Sequence, residues 1–364
     1  MESGKITSLQ LFCLIILFEL GTAIMVPLGL DAKQDAWIAI IIGMVGGILI
    51  FYIYSYLYNN FPDLPLTGYT RVVFGKYIGT VVGILYILFF VYGAARDLRD
   101  GVELLMLSYN VTPISVLSII LMMVIGYALY KGIEVLSRAG EIYFILLLFI
   151  GILGIIFLLF SNVVDIDKAL PVLENGWKPI FTVVYEQTVM FPFGEMICFT
   201  MILPYLNNPK SGFKIGTTAI ILSGVILSFV VFLEISVLGV NTVKQSIFPF
   251  LSMMQHIQIG DFIQRLDAFV VASLIINDFF KVAIFSYVAL IGSVDLFRVQ
   301  KNKLVIPIGI IIFLTSLLIA QDIRMHFEQG KFALKYIFPL FAVVIPFLLM
   351  IIEMLRKSFS NGKK

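Results

Sequence analysis

The chain has 364 residues, of which 60% are hydrophobic and 13% are charged, and its formal net charge is +2. Soluble domains hold about 45–50% apolar and about 25% charged residues, so this composition excludes a soluble globule and predicts a polytopic membrane protein. The small net charge, with basic residues scattered over short loops, gives no reason to expect a nucleic-acid partner.

Ten apolar segments follow one another along the chain. Because about 20 apolar residues make one membrane crossing, they predict an all-α protein of ten transmembrane helices, here called spans 1 to 10. We expect them to form one integral membrane domain over residues 1–364. The predicted spans cover residues 8–30, 36–58, 77–109, 112–130, 139–161, 180–204, 215–240, 262–297, 304–321 and 335–356.

Span 1 is interrupted near its middle by Gly21-Thr22-Ala23, and Glu19 lies just before the interruption. Backbone that leaves the helix at this depth needs protein, water or ligand to replace the lost hydrogen bonds, so the interruption predicts a cavity. An ionisable residue at the same depth is costly and is a functional candidate. Glu19 is therefore either a carboxyl that couples to a proton or an ion, or a protonated or paired carboxyl that holds helices together.

Span 3 ends in the densest charge cluster of the chain, which includes Arg96, Asp97, Arg99 and Glu103. The depth of this cluster is ambiguous, since about 19 residues of the span already cross about 30 Å of hydrocarbon before Arg96. We favour a solvated helix end. The alternative is a gate or an ion pair that faces an outward vestibule.

Span 6 carries the second interruption, Pro192-Phe193-Gly194, and Glu195 directly follows it. Broken helices at corresponding positions of two halves of a chain are typical of the binding site of a transporter. Glu19 and Glu195 would border the same cavity if the two broken spans face each other. Glu195 is a second candidate for ion or proton coupling, with a purely structural carboxyl as the alternative.

Span 8 contains the last two charges at depth, Asp278 and Lys281. Residues three apart occupy neighbouring positions on one helical face, so the two can pair with each other or with another helix. A buried ammonium or carboxylate could bind and release a proton or occupy the place of a cation. A structural ion pair is an equally open interpretation.

Ten crossings place both termini on one side of the membrane. That side holds 14 of the 25 lysines and arginines, against eight on the opposite side, so we expect both termini to be cytoplasmic. Five crossings in each half turn the second half upside down, which predicts an inverted repeat of about 8–161 and about 180–357. Two longer outer loops, Asn162–Lys178 and Asn241–Asp261, are either lids or plain connectors.

The sequence shows no catalytic pattern. Its two histidines, His256 and His326, fall in predicted outer loops, and no phosphate-binding loop, nucleophile elbow or zinc-helix spacing occurs. We therefore predict a protein that is not an enzyme, with no catalytic residue, no metal site and no cofactor.

The box Pro192-Phe193-Gly194-Glu195, followed by Pro204, resembles the sixth helix of the spore germination B-subunit family. The resemblance extends in order over nearly the whole chain. Its other segments are Asp35-Ala-Trp37, Arg99 with Glu103, Gly132-Ile-Glu134 with Arg138 and Glu141, the loop Leu170 to Gly176, and Phe279-Phe280-Lys281.

This resemblance implies a member of the amino acid/polyamine/organocation transporter superfamily, with two inverted five-helix repeats and broken helices 1 and 6, as in LeuT-like proteins. Such a chain would be the germinant-sensing subunit of a receptor in the inner membrane of bacterial endospores, beside an A subunit and a lipoprotein C subunit. Ligands of the family are small nutrients, typically amino acids, sometimes sugars or nucleosides. Carried over by position, the residues that would line the germinant pocket are Gly21, Thr22, Ala23, Phe191, Pro192, Phe193 and Gly194.

Two functional hypotheses follow. The first is a germinant receptor B subunit that binds a small nutrient, an amino acid being the type expected, and triggers spore germination. The second is a proton-coupled amino acid transporter in which Glu195 or Lys281 titrates. Periodicity alone favours the transporter, and the resemblance favours the receptor subunit.

Overall fold

The structure is a computed structural model that describes residues 4–108, 112–257 and 266–361. These residues form helices and connecting turns, and one isolated parallel bridge joins Ile6 to Leu206. The helices are α1 (Ser8–Leu20), α2 (Ala36–Asn60), α3 (Leu66–Val73), α4 (Lys76–Ser108), α5 (Ile114–Lys131), α6 (Ile133–Phe160), α7 (Trp177–Val183), α8 (Gly212–Leu238), α9 (Val240–Gln245), α10 (Pro249–Gln255), α11 (Leu266–Phe297), α12 (Lys301–Leu318), α13 (Ile323–Phe332) and α14 (Ile345–Asn361).

Eight helical segments of the described residues are long and apolar enough to cross a membrane. The longest of them, Ile323–Phe359, joins α13 to α14 through two wide π-helical turns, Ala333–Ile337 and Leu340–Val344. The broken spans 1 and 6 supply the other two crossings. The predicted all-helical membrane fold with ten spans is therefore confirmed, and the division into repeats at about 8–161 and about 180–357 stays a prediction.

Both predicted interruptions are present. α1 ends at Leu20, Gly21 takes a non-helical conformation (φ −5°, ψ −114°), and Thr22–Ile24 forms a 3-10 turn. In span 6, α7 passes into a π-helical turn at Val184–Thr188, and a 3-10 stretch follows from Phe193 to Met201. Neither span is an unbroken α-helix, so part of the backbone at mid-depth lacks the regular α-helical hydrogen bonds.

Helix starts differ most from the prediction in two places. α6 begins at Ile133 rather than 139, because Gly132 (φ 91°) makes a tight turn directly after α5. The last crossing begins at Ile323 rather than 335, with Asp322 as its cap, accepting a hydrogen bond from the Met325 N–H at 2.8 Å. The polar α13 falls outside an apolar window, which is why hydropathy missed it. The predicted residues 109 and 262–265 lie outside the described residues.

α11 lies at the centre of the bundle. It packs along α4, and the approach is close enough that a Cβ at Gly93 would stand 2.7 Å from the Phe285 ring. Phe18 of α1 contacts Phe285 of α11 at a ring-centroid distance of 5.2 Å, and it contacts Phe199 of span 6 at 5.4 Å. This packing brings the interruptions of spans 1 and 6 against the middle of α11.

Candidate ligand-binding site

A cavity of about 560 Å³ leads from the surface toward the two interruptions. At its inner end lie Asp97, Phe191 and Glu195, all of them buried. At its mouth lie Asp31, which follows span 1, and Lys244, which follows α8. Both belong to the side of the membrane opposite to the start of α1. The cavity thus opens on one side of the membrane and ends near its middle.

Exposed charges close part of the mouth. Asp31 contacts Lys244 at 3.3 Å and Lys331 at 3.1 Å, and all three side chains are more than half exposed. Exposed ion pairs of this kind are weak, so they can open at low cost. Of the two segments predicted to be long outer loops, the one that begins at Asn241 instead forms most of α9 and all of α10, and it contributes Lys244 to Ile247 to the cavity. No residue of 162–178 lines the cavity.

The loop 162–178 is instead tied to the beginning of α2. The Leu173 N–H donates to Asp35 Oδ1 at 2.9 Å, and the Gln34 side chain donates to Glu174 at 2.6 Å. These contacts hold the loop against the start of α2.

The first interruption is joined to the charge cluster of α4. Thr22 Oγ1 donates to Asp97 Oδ1 at 2.9 Å. Asp97, Arg99 and Asp100 are buried, and Arg99 forms an ion pair with Glu103 at 2.7 Å. The favoured interpretation of this run as a solvated helix end is therefore wrong. The 33-residue α4 is long enough for its final turns to lie inside the protein, against span 1 and α11.

Lys281 connects the two interruptions. Its Nζ lies 2.6 Å from Glu195 Oε2 and 4.3 Å from the centre of the Phe191 ring. Its stem crosses the first interruption, because a Cβ at Gly21 would stand 2.5 Å from Lys281 Cδ. Apart from this ion pair, the described residues give neither Lys281 Nζ nor Glu195 Oε2 a hydrogen-bond partner. Of the two pairings open at the sequence level, the one across helices is formed.

The other two carboxylates predicted at depth are Glu19 and Asp278, and both are buried. Glu19 is fully buried, and neither of its oxygens has a hydrogen-bond partner among the residues that the structure describes. Asp278 faces α4, where a Cβ at Gly101 would overlap with its carboxylate. Neither residue lines the cavity. Their proposed role in ion or proton coupling stays a prediction.

Of the seven residues expected to contact ligand, Phe191 is the one that lines the cavity. Phe193 turns away and packs against Gly47 of α2, where a Cβ would overlap with it. The Gly194 carbonyl accepts a hydrogen bond from the Tyr54 hydroxyl at 3.4 Å. Thr22 does not line the cavity, but its hydroxyl donates a hydrogen bond to Asp97, which does. Gly21, Ala23 and Pro192 are buried behind the cavity wall and do not line it. A ligand-binding role for these residues stays a prediction.

Two groups of the site were missed at the sequence level. His326 was assigned to an outer loop, but it lies on α13, fully buried, with Nε2 2.9 Å from Asp100 Oδ1. The His326 carbonyl also accepts a hydrogen bond from Arg96 Nη2 at 3.0 Å. The second missed group is Gln187, which links the outer ends of the broken spans because its side-chain oxygen accepts from the Gly29 N–H at 3.1 Å. A heptad-like spacing of polar residues in α13 could have pointed to a helix there.

His326→Leu is expected to lower the free energy of unfolding by about 1–3 kcal/mol, because it leaves the buried Asp100 without this partner. Thermal unfolding in detergent would measure the loss. The matched control is His256→Leu: His256 is exposed and bonds within its own segment, with Nδ1 2.8 Å from the Ser252 carbonyl oxygen. Surface changes of this kind stay within about 0.5 kcal/mol of the parent. Equal stability of the two variants would contradict the role given to His326.

The fold and this central site together define a class, the LeuT-like transporter fold. The crystal structure of MhsT in complex with L-phenylalanine superposes on this chain with a TM-score of 0.69. The match covers 93% of this chain and 87% of MhsT, at 13% sequence identity, so it establishes a shared fold.

Within this class the sequence identifies one family. The model of the family described as "Spore germination protein" matches residues 5–324. Spore germination protein KB of Bacillus subtilis is 38% identical over 100% of this chain and 98% of its own length. Spore germination protein A2 of the same organism is 27% identical over 98% of each chain. The chain belongs to the spore germination B-subunit family, as the Pro-Phe-Gly-Glu box predicted.

Proposed function

We propose that this chain is the ligand-binding membrane subunit of a germinant receptor. It binds a small nutrient in its cavity and thereby triggers spore germination. The observation that carries the proposal is a cavity that reaches Phe191, Glu195 and Asp97 between the two broken spans. Apolar and charged groups meet there, as they do in sites for small polar molecules. The bound nutrient of this proposal is an amino acid, in line with the ligand of the structurally similar MhsT.

Binding becomes a signal if the ligand favours one shape of the protein. A ligand shifts a conformational equilibrium only by its difference in affinity for the two states. The weak ion pairs of Asp31 at the mouth and the non-α backbone at both interruptions are the parts that can move at low cost. Closure of the mouth over a ligand would change the positions of α9 and α13, which carry Lys244 and Lys331.

The proposal places the chain in the inner membrane of the endospore, with both termini in the cytoplasm by its distribution of positive charge. The cavity would then open outward, toward arriving nutrients. An A subunit and a lipoprotein C subunit are the partners that would receive the signal.

The second candidate function is a proton-coupled amino acid transporter, and the Glu195–Lys281 pair is the observation that favours it. A carboxylate and an ammonium 2.6 Å apart between two broken helices could exchange a proton when the ligand enters.

Binding and uptake separate the two functions. Purified protein in lipid nanodiscs is expected to be stabilised thermally by an amino acid, while liposomes that contain it show no concentrative uptake under an imposed pH gradient. Uptake that follows the gradient and is lost in Glu195→Gln would establish the transporter instead. Glu186→Gln is the matched control, since Glu186 pairs with Lys335 at the protein exterior. Absence of binding to amino acids, sugars and nucleosides alike would contradict both functions.

A further inference from the structure

Arg96 and Asp97 are neighbours of opposite charge on α4, and both line the cavity. Arg96 is held by α13, because its Nη2 donates to the His326 carbonyl at 3.0 Å. Its guanidinium also lies 5.8 Å from the centre of the Tyr92 ring. The second terminal nitrogen, Nη1, is buried and has no hydrogen-bond partner in the described part of the chain. The protein thus fixes the guanidinium and leaves one of its donors unused.

Asp97 is also held by one hydrogen bond, and it also has one buried polar atom without a partner among the described residues. Thr22 Oγ1 donates to Oδ1 at 2.9 Å and thereby fixes the carboxylate. Oδ2 is buried and receives no hydrogen bond from any described residue, and the whole residue is 4% exposed. A buried charged atom without a partner is costly, and such atoms in native proteins call for an explanation.

The other charges at the cavity have partners or face water. Glu195 is neutralised by Lys281 at 2.6 Å, and Asp100 Oδ1 is paired with His326 at 2.9 Å. At the mouth, Asp31 is paired with two lysines, and Arg324 is exposed. Arg96 and Asp97 are therefore the pair at the inner cavity in which each member keeps one unused, buried polar atom.

We infer that Arg96 and Asp97 are the residues that determine ligand specificity, by recognising the two opposite charges of one zwitterion. This inference rests on the proposed function. Arg96 Nη1 donates to the ligand carboxylate, and Asp97 Oδ2 accepts from its ammonium group. Hydrogen bonds between charged partners are roughly twice as strong as neutral ones, and both groups are already held in place before the ligand arrives. A neutral sugar would satisfy each atom by a weaker bond only.

The apolar part of the cavity accommodates the rest of such a ligand. Phe191 and Phe338 are buried and line the cavity, and Val26 and Leu334 line it as well. An α-amino acid with an apolar side chain could place its ammonium and carboxylate groups at the charged pair on α4 and its side chain against the apolar wall.

The test compares ligands that lack one charge at a time. The twenty standard L-amino acids are screened by thermal stabilisation of the protein in nanodiscs, and the best of them is compared with its carboxamide and its des-amino acid. The wild type is expected to bind the amino acid about tenfold or more tightly than either analogue. Arg96→Gln should lose the preference over the carboxamide, and Asp97→Asn should lose the preference over the des-amino acid.

Matched variants make the result specific. Arg138→Gln removes an exposed positive charge of α6 that does not line the cavity, and it should leave both preferences unchanged. Asp97→Asn keeps an oxygen that accepts from Thr22, so the first interruption stays anchored. Should Arg96→Gln fail to fold, Arg96→Lys keeps the charge and is expected to keep the order of the three ligands with weaker binding.

Three outcomes would overturn the inference. Equal weakening of all three ligands in both variants would make the pair structural and leave the receptor function intact. A wild type that binds the amino acid and its carboxamide equally, or that binds only sugars and nucleosides, would also show that the pair does not recognise a zwitterion, and it would leave the receptor function intact. A protein that binds none of these compounds would contradict the proposed function, and the inference with it.

Discussion

Lys281→Met is expected to lower the free energy of unfolding by about 3–5 kcal/mol, the largest effect of any single change proposed for this protein. Lys281 is fully buried, and its ammonium lies 2.6 Å from the Glu195 carboxylate. Methionine fills most of the same volume, so the loss comes from the charge that is left behind in the interior. Chemical or thermal unfolding in detergent micelles measures it.

The double variant Lys281→Met/Glu195→Gln is expected to recover most of this loss. Replacement of both members of a buried pair removes the uncompensated charge, whereas removal of one member creates it. Lys335→Met is the matched control. Its ion pair with Glu186 has the same 2.6 Å length, but both side chains are more than one third exposed, so a much smaller loss than that of Lys281→Met is expected. A double variant no more stable than Lys281→Met would contradict the assigned pairing.

The fold could be predicted from the sequence because lipid imposes a simple pattern. Each crossing needs a stretch of apolar residues, and each interruption needs residues such as Gly21 or Pro192 that break a helix. The crossing whose start was misplaced furthest is the last, where α13 is polar and borders the cavity. Hydropathy cannot separate such a helix from a loop, because both are rich in charged residues.

The site could be predicted only in part. Glu195 and Lys281 were identified by their depth, since each lies well inside an apolar segment. Their contact with each other depends on how three helices pack, which no local pattern records. The same holds for His326 and Asp100, which are 226 residues apart in the chain. The charge cluster of α4 was misinterpreted for another reason. Hydropathy and helix length are the same for a charged helix end in water and for one buried inside the protein, so neither could locate this cluster.

Gly21→Ala is expected to cost about 1–3 kcal/mol of stability, because the added methyl group has no room. A Cβ at this position would stand 2.5 Å from Lys281 Cδ, 2.8 Å from Lys281 Cβ and 2.9 Å from the Phe18 carbonyl oxygen. The lysine stem would have to move, and the ion pair with Glu195 would move with it. Thermal unfolding and ligand binding should therefore weaken together.

A double-mutant cycle decides whether the cost arises at Lys281. Gly126→Ala in α5 is the matched control, since nothing lies within 4 Å of its added Cβ, and alanine in a helix is worth about 0.5–1 kcal/mol more than glycine. Residues in contact show non-additive effects, whereas distant ones add within about 0.3–0.5 kcal/mol. Gly21→Ala should thus cost less in a Lys281→Ala background than in the wild type, and Gly126→Ala should have the same effect in both. Additivity at Gly21 would mean that the lysine stem does not cross the first interruption, and the link between the two broken spans would be lost.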